Sequence, residues 1–277
     1  MAEKPLPVAI DAMGGDYAPE QVIQGARSAL EFGIPVVLFG TEEALADIDD
    51  LETIFVSEVI EMDEDPGQAV RRKKDSSLVR AAEHVRDGHA SAMISAGNTG
   101  ATMASALLRM GRLKGASRPA IATPIPTLEG DHPVILLDSG ANAECQAEWL
   151  LQFAEMGAVY ARDRFNVQKP KIGLLSIGEE AGKGNSLVKE SFEILNSGNW
   201  EAKSKSEFIG NVEGRDLMSG VADVVVTDGF TGNVALKTLE GTAKAIVSAL
   251  LAAFTSSEEA KKGSELLAPP LLPLSQK

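Results

Sequence analysis

The sequence predicts an α/β protein with a doubly wound, largely parallel sheet, and three observations support this class. Short β-branched and aliphatic runs, such as residues 224–227, alternate with segments whose apolar residues recur at helical spacing. Five of these runs end in a small polar loop that contains glycine. With 277 residues and 44% hydrophobic content, the chain can bury one large core or two modest ones. We therefore expect the five loops to meet at one sheet edge and to line one cleft.

The first half of the chain shows this alternation. Pro19 suits the first position of a helix because its φ is already helical, and Thr41 is a suitable N-cap for the helix that follows it. The acidic stretch 47–67 is expected to contain an edge strand and a linker. The predicted strands are 8–10, 34–39, 53–56 and 92–95, and the predicted helices are 19–30, 42–47, 76–87 and 102–109.

The second half repeats the pattern. Prolines punctuate residues 120–126, so we expect an irregular strand there. The other predicted strands are 134–137, 171–177, 208–212 and 224–227, and the predicted helices are 143–160, 187–195 and 234–254.

Residues 233–277 differ in kind from the α/β core at 1–232. Residues 234–254 have the pattern of one long helix with apolar stripes, most of which ordinary core packing would explain. Residues 266–274 are strongly apolar but broken by prolines, so we expect no regular helix there. Such a tail indicates dimer packing, contact with a membrane surface or an incompletely built terminus. We treat 233–277 as a helical arm with an apolar, proline-rich tail rather than as an independent domain.

Composition excludes several classes of protein. No run approaches the roughly 20 apolar residues that span a bilayer, and residues 1–7 lack the apolar centre of a signal peptide, so we expect a cytoplasmic protein. A single cysteine excludes an internal disulfide, and three scattered histidines give no zinc-binding spacing, so we expect no metal. A net charge of −14 argues against a nucleic-acid partner.

The glycine loops are the main functional signal. In residues 221–240 a buried strand leads through Asp228 and Gly229 into a turn at 231–233 and then a helix, an arrangement that suits anion binding. A simple strand-to-helix connection would explain one such segment, but the same arrangement recurs along the chain. No loop matches a nucleophile elbow, a dinucleotide fingerprint or a P-loop. The loops offer neutral hydrogen-bonding groups and one lysine, a set that suits a small anion: Asn98, Thr99, Asn142, Lys183, Asn185, Asn211, Thr231 and Asn233.

A local basic run contrasts with the acidic chain. Arg109, Arg112, Lys114 and Arg118 lie within ten residues that contain no acidic residue. Such a run is often only a solvated face, but on an acidic protein it is also a candidate docking surface for an acidic partner or a phosphorylated ligand.

Six motifs together point to a known family. They are DAMGGDYAP at 11–19, ISAGNTGA at 94–101, DSGAN at 138–142, KGN at 183–185, FIGNVEGRD at 208–216 and VVVTDGFTGNV at 224–234. In this order they closely resemble the bacterial phosphate acyltransferases of phospholipid synthesis, and the resemblance extends from residue 8 to about residue 250.

The resemblance implies an enzyme that transfers a fatty acyl chain from acyl carrier protein to inorganic phosphate without a cofactor. The acyl phosphate would then feed glycerol-3-phosphate acylation. It also implies a homodimer loosely attached to the cytoplasmic face of the membrane, and a fold related to isocitrate dehydrogenase and phosphate acetyltransferase. Phosphate is itself a competent nucleophile, so direct attack on the thioester requires no covalent enzyme intermediate.

The resemblance also assigns site residues. Lys183 and Asn233 match positions regarded as catalytic in the family. We expect Lys183 to stabilise charge on phosphate and the developing oxyanion, and Asn233 to orient phosphate or the carbonyl. An exposed loop lysine and a helix N-cap are the structural alternatives for these two residues. The other expected substrate- or phosphate-binding residues are Asn98, Thr99, Gly100, Asn142, Asn185, Asn211, Arg215, Asp228, Thr231 and Gly232.

The chain departs from the family in one respect. The family normally continues for several dozen residues beyond the region matched by residue 274, with a further strand and a final helix. A truncated, inactive form or a non-catalytic scaffold that docks acyl carrier protein is therefore an alternative function. A weaker alternative is a phosphotransacylase that uses short-chain acyl coenzyme A.

Overall fold

The computed structural model describes residues 5–127 and 130–271. At residues 265 and 267–271 it describes the backbone only. The chain divides into two compact units, an N-terminal unit of Met1–Pro119 and a C-terminal unit of Ala120–Lys277. The boundary expected between residues 232 and 233 falls inside a helix of the C-terminal unit. As a division between a core and an arm, it stays a prediction.

The N-terminal unit is built on a four-stranded parallel sheet with the order β3-β2-β1-β4. Its strands are β1 Val8–Asp11, β2 Val36–Thr41, β3 Glu52–Val56 and β4 Ala92–Ile94. Its helices are α1 Glu20–Glu31, α2 Glu42–Leu45, α3 Pro66–Arg72, α4 Ser77–Arg86 and α5 Thr99–Ser105, and a π-helical turn, Ala106–Met110, follows α5. The expected edge strand and the Thr41 N-cap are confirmed, since β3 lies at the edge and the Thr41 hydroxyl accepts from the Ala44 amide.

Both faces of this sheet are buried, as its apolar strands predict. Ile10 and Leu38 pack with α1 residues on one face, whereas Ala9, Val37 and Phe39 pack against the α4 side of the other.

The C-terminal unit contains a second sheet with the order β5-β6-β9-β7-β8. Its strands are β5 Thr123–Ile125, β6 Val134–Leu137, β7 Lys171–Leu175, β8 Glu207–Val212 and β9 Val224–Val226. All the pairings are parallel except that of β5 with β6. Its α-helices are α6 Ala147–Phe165, α7 Ser186–Leu195, α8 Glu201–Ser204, α9 Gly229–Phe254 and α10 Glu258–Leu271, and Gly214–Met218 is a 3-10 turn.

The predicted α/β class with largely parallel strands is confirmed, but the five glycine loops do not follow strands of one sheet. The loops after β1 and β4 belong to the first sheet, and those after β6, β7 and β9 belong to the second. The expectation of a single shared sheet edge is therefore wrong. Periodicity identifies strands one at a time, whereas the grouping into sheets depends on long-range pairing that a local pattern does not encode.

The C-terminal arm is more helical than expected. The predicted long helix is confirmed as α9, and its second half exposes apolar side chains, among them Ile246, Val247, Leu250 and Leu251. The prediction of no regular helix from residue 266 is wrong as far as residue 271, because α10 continues through Pro269 and Pro270. Both prolines lie among the last three residues of α10, so the hydrogen bonds that they cannot donate belong to its final turn. Residues 272–274 of the predicted tail lie outside the described residues. Among the described helices, none is long and apolar enough to cross a membrane.

Candidate active site

Three neighbouring strands of the second sheet bring polar loops together. The strands β6, β9 and β7 are adjacent and parallel, so their carboxyl ends lie at one edge, about 4.8 Å apart from strand to strand. The loop 138–142 follows β6, helix α9 follows β9, and the loop 176–185 follows β7. Topology therefore places Lys183 on the loop next to the helix that carries Asn233.

Asp138 organises the first of these loops. It is fully buried, and its carboxylate accepts five hydrogen bonds. The donors are Ile121 N at 3.0 Å, Gly140 N at 3.1 Å, Ala141 N at 2.9 Å, Asn142 N at 2.7 Å and Asn142 Nδ2 at 2.8 Å. These bonds satisfy a buried carboxylate that forms no ion pair within the described ranges, and they fix the backbone of the loop. Asn142, expected to bind the anion, uses its side-chain nitrogen in this network.

Two glycines let helix α9 approach this loop closely. The Gly229 amide donates to the Asn142 carbonyl at 2.8 Å. A Cβ on Gly229 would lie 2.7 Å from that carbonyl oxygen, and a Cβ on Gly232 would lie only 1.9 Å from the carbonyl oxygen of Asp138. Glycine is therefore required at both positions by contact with backbone.

The helix begins earlier than the sequence predicts. Asp228 is the N-cap, and its carboxylate accepts from Thr231 N at 2.9 Å and from Thr231 Oγ1 at 2.8 Å. The expected turn at 231–233 is therefore wrong, because these residues are helical and Gly232 serves packing rather than chain reversal. The carboxylate of Asp228 also occupies the anion position that a helix N-terminus offers. The carboxylate of Asp228 and the hydroxyl of Thr231 are thus hydrogen-bonded to each other at the N-terminus of the helix.

Asn233 lies one turn into α9, with its side chain exposed. A Cβ on Gly140, whose φ is +147°, would lie 3.7 Å from Asn233 Nδ2. The carboxamide therefore stands beside the peptide of Gly140. It has no hydrogen-bond partner within residues 5–127 and 130–271, so both its ends are available to a ligand.

Lys183 is exposed on the loop 176–185. Its backbone amide donates to the Glu180 carbonyl at 2.9 Å, and its stem crosses Gly178, where a Cβ would lie 3.1 Å from Lys183 Cγ. The ammonium group forms no ion pair in the described part of the chain. Arg215, by contrast, pairs with Glu179 of the same loop and with Glu213. Lys183 is thus a cation held on a defined turn and available to an anion.

Three other predicted residues support this region structurally. Asn185 is the N-cap of α7 and accepts from Val188 N at 2.9 Å. Asn211 is buried on β8 and donates from Nδ2 to the Glu180 carbonyl at 2.9 Å. Arg215 is exposed and pairs with Glu179 at 3.3 Å and Glu213 at 3.2 Å.

The N-terminal unit contains the remaining predicted residues. The Asn98 side chain caps α5 by accepting from Ala101 N at 3.0 Å, and its Nδ2 donates to the carbonyls of Met62 and Glu64 at 3.0 and 3.1 Å. A Cβ on Gly100 would lie 2.7 Å from Pro66 Cγ, so this glycine allows α5 to pack on α3. Thr99 is exposed. These contacts assign Asn98 and Gly100 structural roles within their own unit, and a role in anion binding stays a prediction.

The basic run divides into two kinds of residue. Arg109 is only 21% exposed and binds within the unit, donating to the Val70 carbonyl at 3.0 Å and lying 3.8 Å from Glu83. Arg112, Lys114 and Arg118 are exposed, and the Arg112 guanidinium contacts the Ser117 carbonyl. These three are the exposed members of the run, and the docking surface stays a prediction.

Sequence reasoning quoted Asp138 and Gly229 within motifs but missed their roles. The available signal was an aspartate directly after a fully apolar strand, because a carboxylate at that position must find several donors. Within the described ranges, no group of three or more His, Cys, Asp or Glu residues could hold a metal ion.

Comparison with known proteins adds independent information. Residues 6–277 match a family described as "Fatty acid synthesis protein". A phosphate acyltransferase of Geobacillus sp. is 48% identical over 275 residues, covering 97% of this chain and 82% of the relative. A phosphate acyltransferase of Lysinibacillus sphaericus is 49% identical, covering 95% of this chain and 79% of the relative.

Solved structures show a similar fold at low identity. The EutD phosphotransacetylase from Staphylococcus aureus superposes with a TM-score of 0.63 at 20% identity, covering 87% of this chain and 83% of that one. A phosphotransacetylase from Streptococcus pyogenes gives a TM-score of 0.64 at 18% identity, covering 86% and 82%. At this identity the likeness concerns the fold alone.

Proposed function

The chain belongs to the phosphate acyltransferase family, and we propose that it transfers a fatty acyl group from acyl carrier protein to inorganic phosphate, giving acyl phosphate for glycerol-3-phosphate acylation in phospholipid synthesis. One observation carries the assignment of the site. Lys183, without an ion-pair partner in the described part of the chain, and Asn233, without a hydrogen-bond partner there, follow adjacent parallel strands at one sheet edge.

The chemistry requires positioning more than covalent catalysis. An oxygen of hydrogen phosphate attacks the thioester carbonyl carbon and a C–O bond forms. The C–S bond then breaks, and the thiolate of the carrier leaves as a thiol by taking up the proton that the phosphate loses. Lys183 stabilises the negative charge of phosphate and of the oxyanion, and Asn233 orients one of them by hydrogen bonding. The Asp138 network keeps the loop beside Asn233 rigid, so little reorganisation accompanies the reaction.

The first experiment incubates the chain with long-chain acyl carrier protein and phosphate and traps acyl phosphate with hydroxylamine. Lys183→Ala should lower turnover by about 100-fold or more, as loss of an oxyanion-stabilising group does. Lys189→Ala is the matched control, because this exposed lysine lies on α7 close in sequence to the loop. Near-normal turnover by Lys183→Ala would falsify the central role of this lysine.

The acyl donor is tested by competition. A short-chain acyl coenzyme A, which also carries a thioester, is the second candidate donor. Equal concentrations of long-chain acyl carrier protein and acetyl coenzyme A should yield mainly long-chain acyl phosphate. Acetyl phosphate as the main product would reassign the substrate. A non-catalytic scaffold is not favoured, because it gives no reason for a lysine without an ion-pair partner beside this edge.

We propose that the acidic carrier protein docks on the exposed part of the basic run. Leu113, which is 84% exposed, lies between Arg112 and Lys114 in the chain, and Arg118 follows four residues after Lys114, so the segment combines positive charge with an apolar contact. The double variant Arg112→Glu, Lys114→Glu should raise KM for acyl carrier protein and leave KM for phosphate unchanged. Lys189→Glu controls for net charge. An unchanged KM for the carrier would place docking elsewhere.

We further propose that α9 and α10 serve homodimer packing and peripheral contact with the inner face of the cytoplasmic membrane. The support is the row of exposed apolar residues on the second half of α9. Ile246→Glu with Leu250→Glu should convert a dimer into a monomer in sedimentation and reduce flotation with anionic vesicles. A monomeric parent chain would contradict the dimer, and a parent that fails to float would contradict membrane contact.

A further inference from the structure

Asn211 is linked directly to the turn that carries Lys183. Its side chain is 6% exposed, and Nδ2 donates to the Glu180 carbonyl at 2.9 Å. The same carbonyl accepts the backbone amide of Lys183 at 2.9 Å. The Glu180 carbonyl oxygen therefore accepts two hydrogen bonds, one from the Asn211 side chain and one from the Lys183 backbone amide. Asn211 Oδ1 is buried without a protein partner among the described residues, so the bond from Nδ2 is what ties this carboxamide to the loop.

A β-bulge directs Asn211 toward this loop. Phe208 pairs with Ile172 and Gly210 pairs with Gly173, so Ile209 is an additional residue in β8. Ile209 and Val212 consequently pack on the same face, although three residues apart they would face opposite sides of a regular strand. Asn211 then lies on the opposite face, the side on which α7 packs. Gly210 permits the distortion with a φ of +96°.

We propose that Asn211 is a positioning residue for Lys183: through the Glu180 carbonyl it fixes the turn 180–183 and thereby the place of the lysine ammonium group. This inference rests on the proposed function of Lys183 and replaces the expected direct role of Asn211 in phosphate binding. The donor that phosphate would need is already committed to a backbone carbonyl. Without it, the turn keeps its internal bond from Lys183 to Glu180 and loses its bond to β8, so it can shift over the exposed surface of the loop.

Two substitutions at this position remove the donor in different ways. Asn211→Asp preserves shape but replaces the donor with an oxygen that repels the Glu180 carbonyl, and Asn211→Ala removes it without adding charge. Both should lower kcat/KM for phosphate about tenfold to 100-fold, since a misplacement of about 1 Å at a reacting group costs roughly that much. Asn196→Asp adds the same charge at an exposed position beyond the end of α7 and should leave the rate unchanged.

A double-mutant cycle separates positioning from general damage. In a Lys183→Ala background, the Asn211 substitutions should cause no further loss, because the group that they displace is absent. An equal loss in both backgrounds, or no loss in the parent, would overturn the proposal. Thermal melts identify a variant that fails to fold, and the cycle then rests on the other variant.

Hydrogen exchange tests the positioning without relying on catalysis. The Lys183 amide should exchange faster in Asn211→Asp than in the parent, whereas the Val188 amide, which Asn185 binds, should not change. Equal exchange at Lys183 would overturn the inference. If the parent chain makes no acyl phosphate, the proposed function fails on its own, and this measurement still decides the role of Asn211.

Discussion

Two glycine loops of similar composition have different structures and teach different lessons. Residues 97–100 precede and begin α5, and the Asn98 side chain makes three hydrogen bonds as an N-cap and as a clamp on the 62–64 turn. Residues 231–233 lie inside α9, which Asp228 caps, and the Asn233 side chain makes none within the described residues. In the first loop the asparagine holds the fold. In the second, other residues hold the fold and leave the asparagine for a ligand.

The largest expected difference between the loops is at their glycines. Gly232→Ala should destabilise the chain by about 3 kcal/mol or more, because its Cβ would lie 1.9 Å from the backbone carbonyl oxygen of Asp138, which cannot move independently of the loop. Gly100→Ala should cost about 1–2 kcal/mol, because the contact at 2.7 Å is with the ring of Pro66. Urea denaturation measures both.

Gly241→Ala is the control for glycine in a helix. This position in α9 has no neighbour within 4 Å of an added Cβ, so the substitution should stabilise by about 0.5–1 kcal/mol. If Gly232→Ala behaved like Gly241→Ala, the close approach of α9 to the Asp138 loop would be wrong.

The next largest difference in stability is expected between Asp138 of the C-terminal unit and Asp11 of the N-terminal unit. Asp138→Asn replaces an acceptor with a donor that faces the amide and side-chain nitrogens of Asn142, and should cost about 3 kcal/mol. Asp11 occupies the corresponding place in the N-terminal unit, but among the described residues it accepts only from Met13 N at 3.2 Å and from the Ser95 hydroxyl at 2.7 Å. Asp11→Asn should therefore cost about 1 kcal/mol, because the hydroxyl can rotate and accept instead. Equal costs in thermal melts would contradict the difference between the two networks.

Much of the fold follows from the sequence, because strand and helix periodicities are local. Two features illustrate this. The capping role of Thr41 depends on residues next to it in the chain, and the edge position of β3 is indicated by its polar flanks. The grouping into two sheets could not be predicted in this way. Strands β1 and β6 have similar apolar patterns, and their different partners are set by contacts distant in sequence.

The site shows the same limit in finer detail. The motif identifies Lys183, which is exposed on a loop, and its catalytic role stays a prediction. The sequence pattern predicts Gly232 as a turn residue. Glycine is required there instead because the helix contacts the backbone of Asp138, which lies 94 positions earlier in the chain. Asn211 was assigned to the ligand by composition, although its donor binds Glu180. Residue type predicts what a side chain can bind, and only the fold determines what it does bind.

The two asparagines should differ most sharply in function, and the smallest effect on stability is expected at Asn233. Asn98→Ala should destabilise by about 2 kcal/mol, since it removes an N-cap and two bonds to carbonyls. Asn233→Ala should change stability by less than about 0.5 kcal/mol, because the side chain is exposed and makes no internal bond in the part of the chain that the structure describes. It should nevertheless lower acyl phosphate formation by about 100-fold, as expected when an orienting hydrogen bond in the transition state is lost. Denaturation and the hydroxylamine assay on the same samples measure the two effects. A destabilised but active Asn233→Ala variant would show that this asparagine serves the fold, as Asn98 does, and that α9 contributes to the site through another residue.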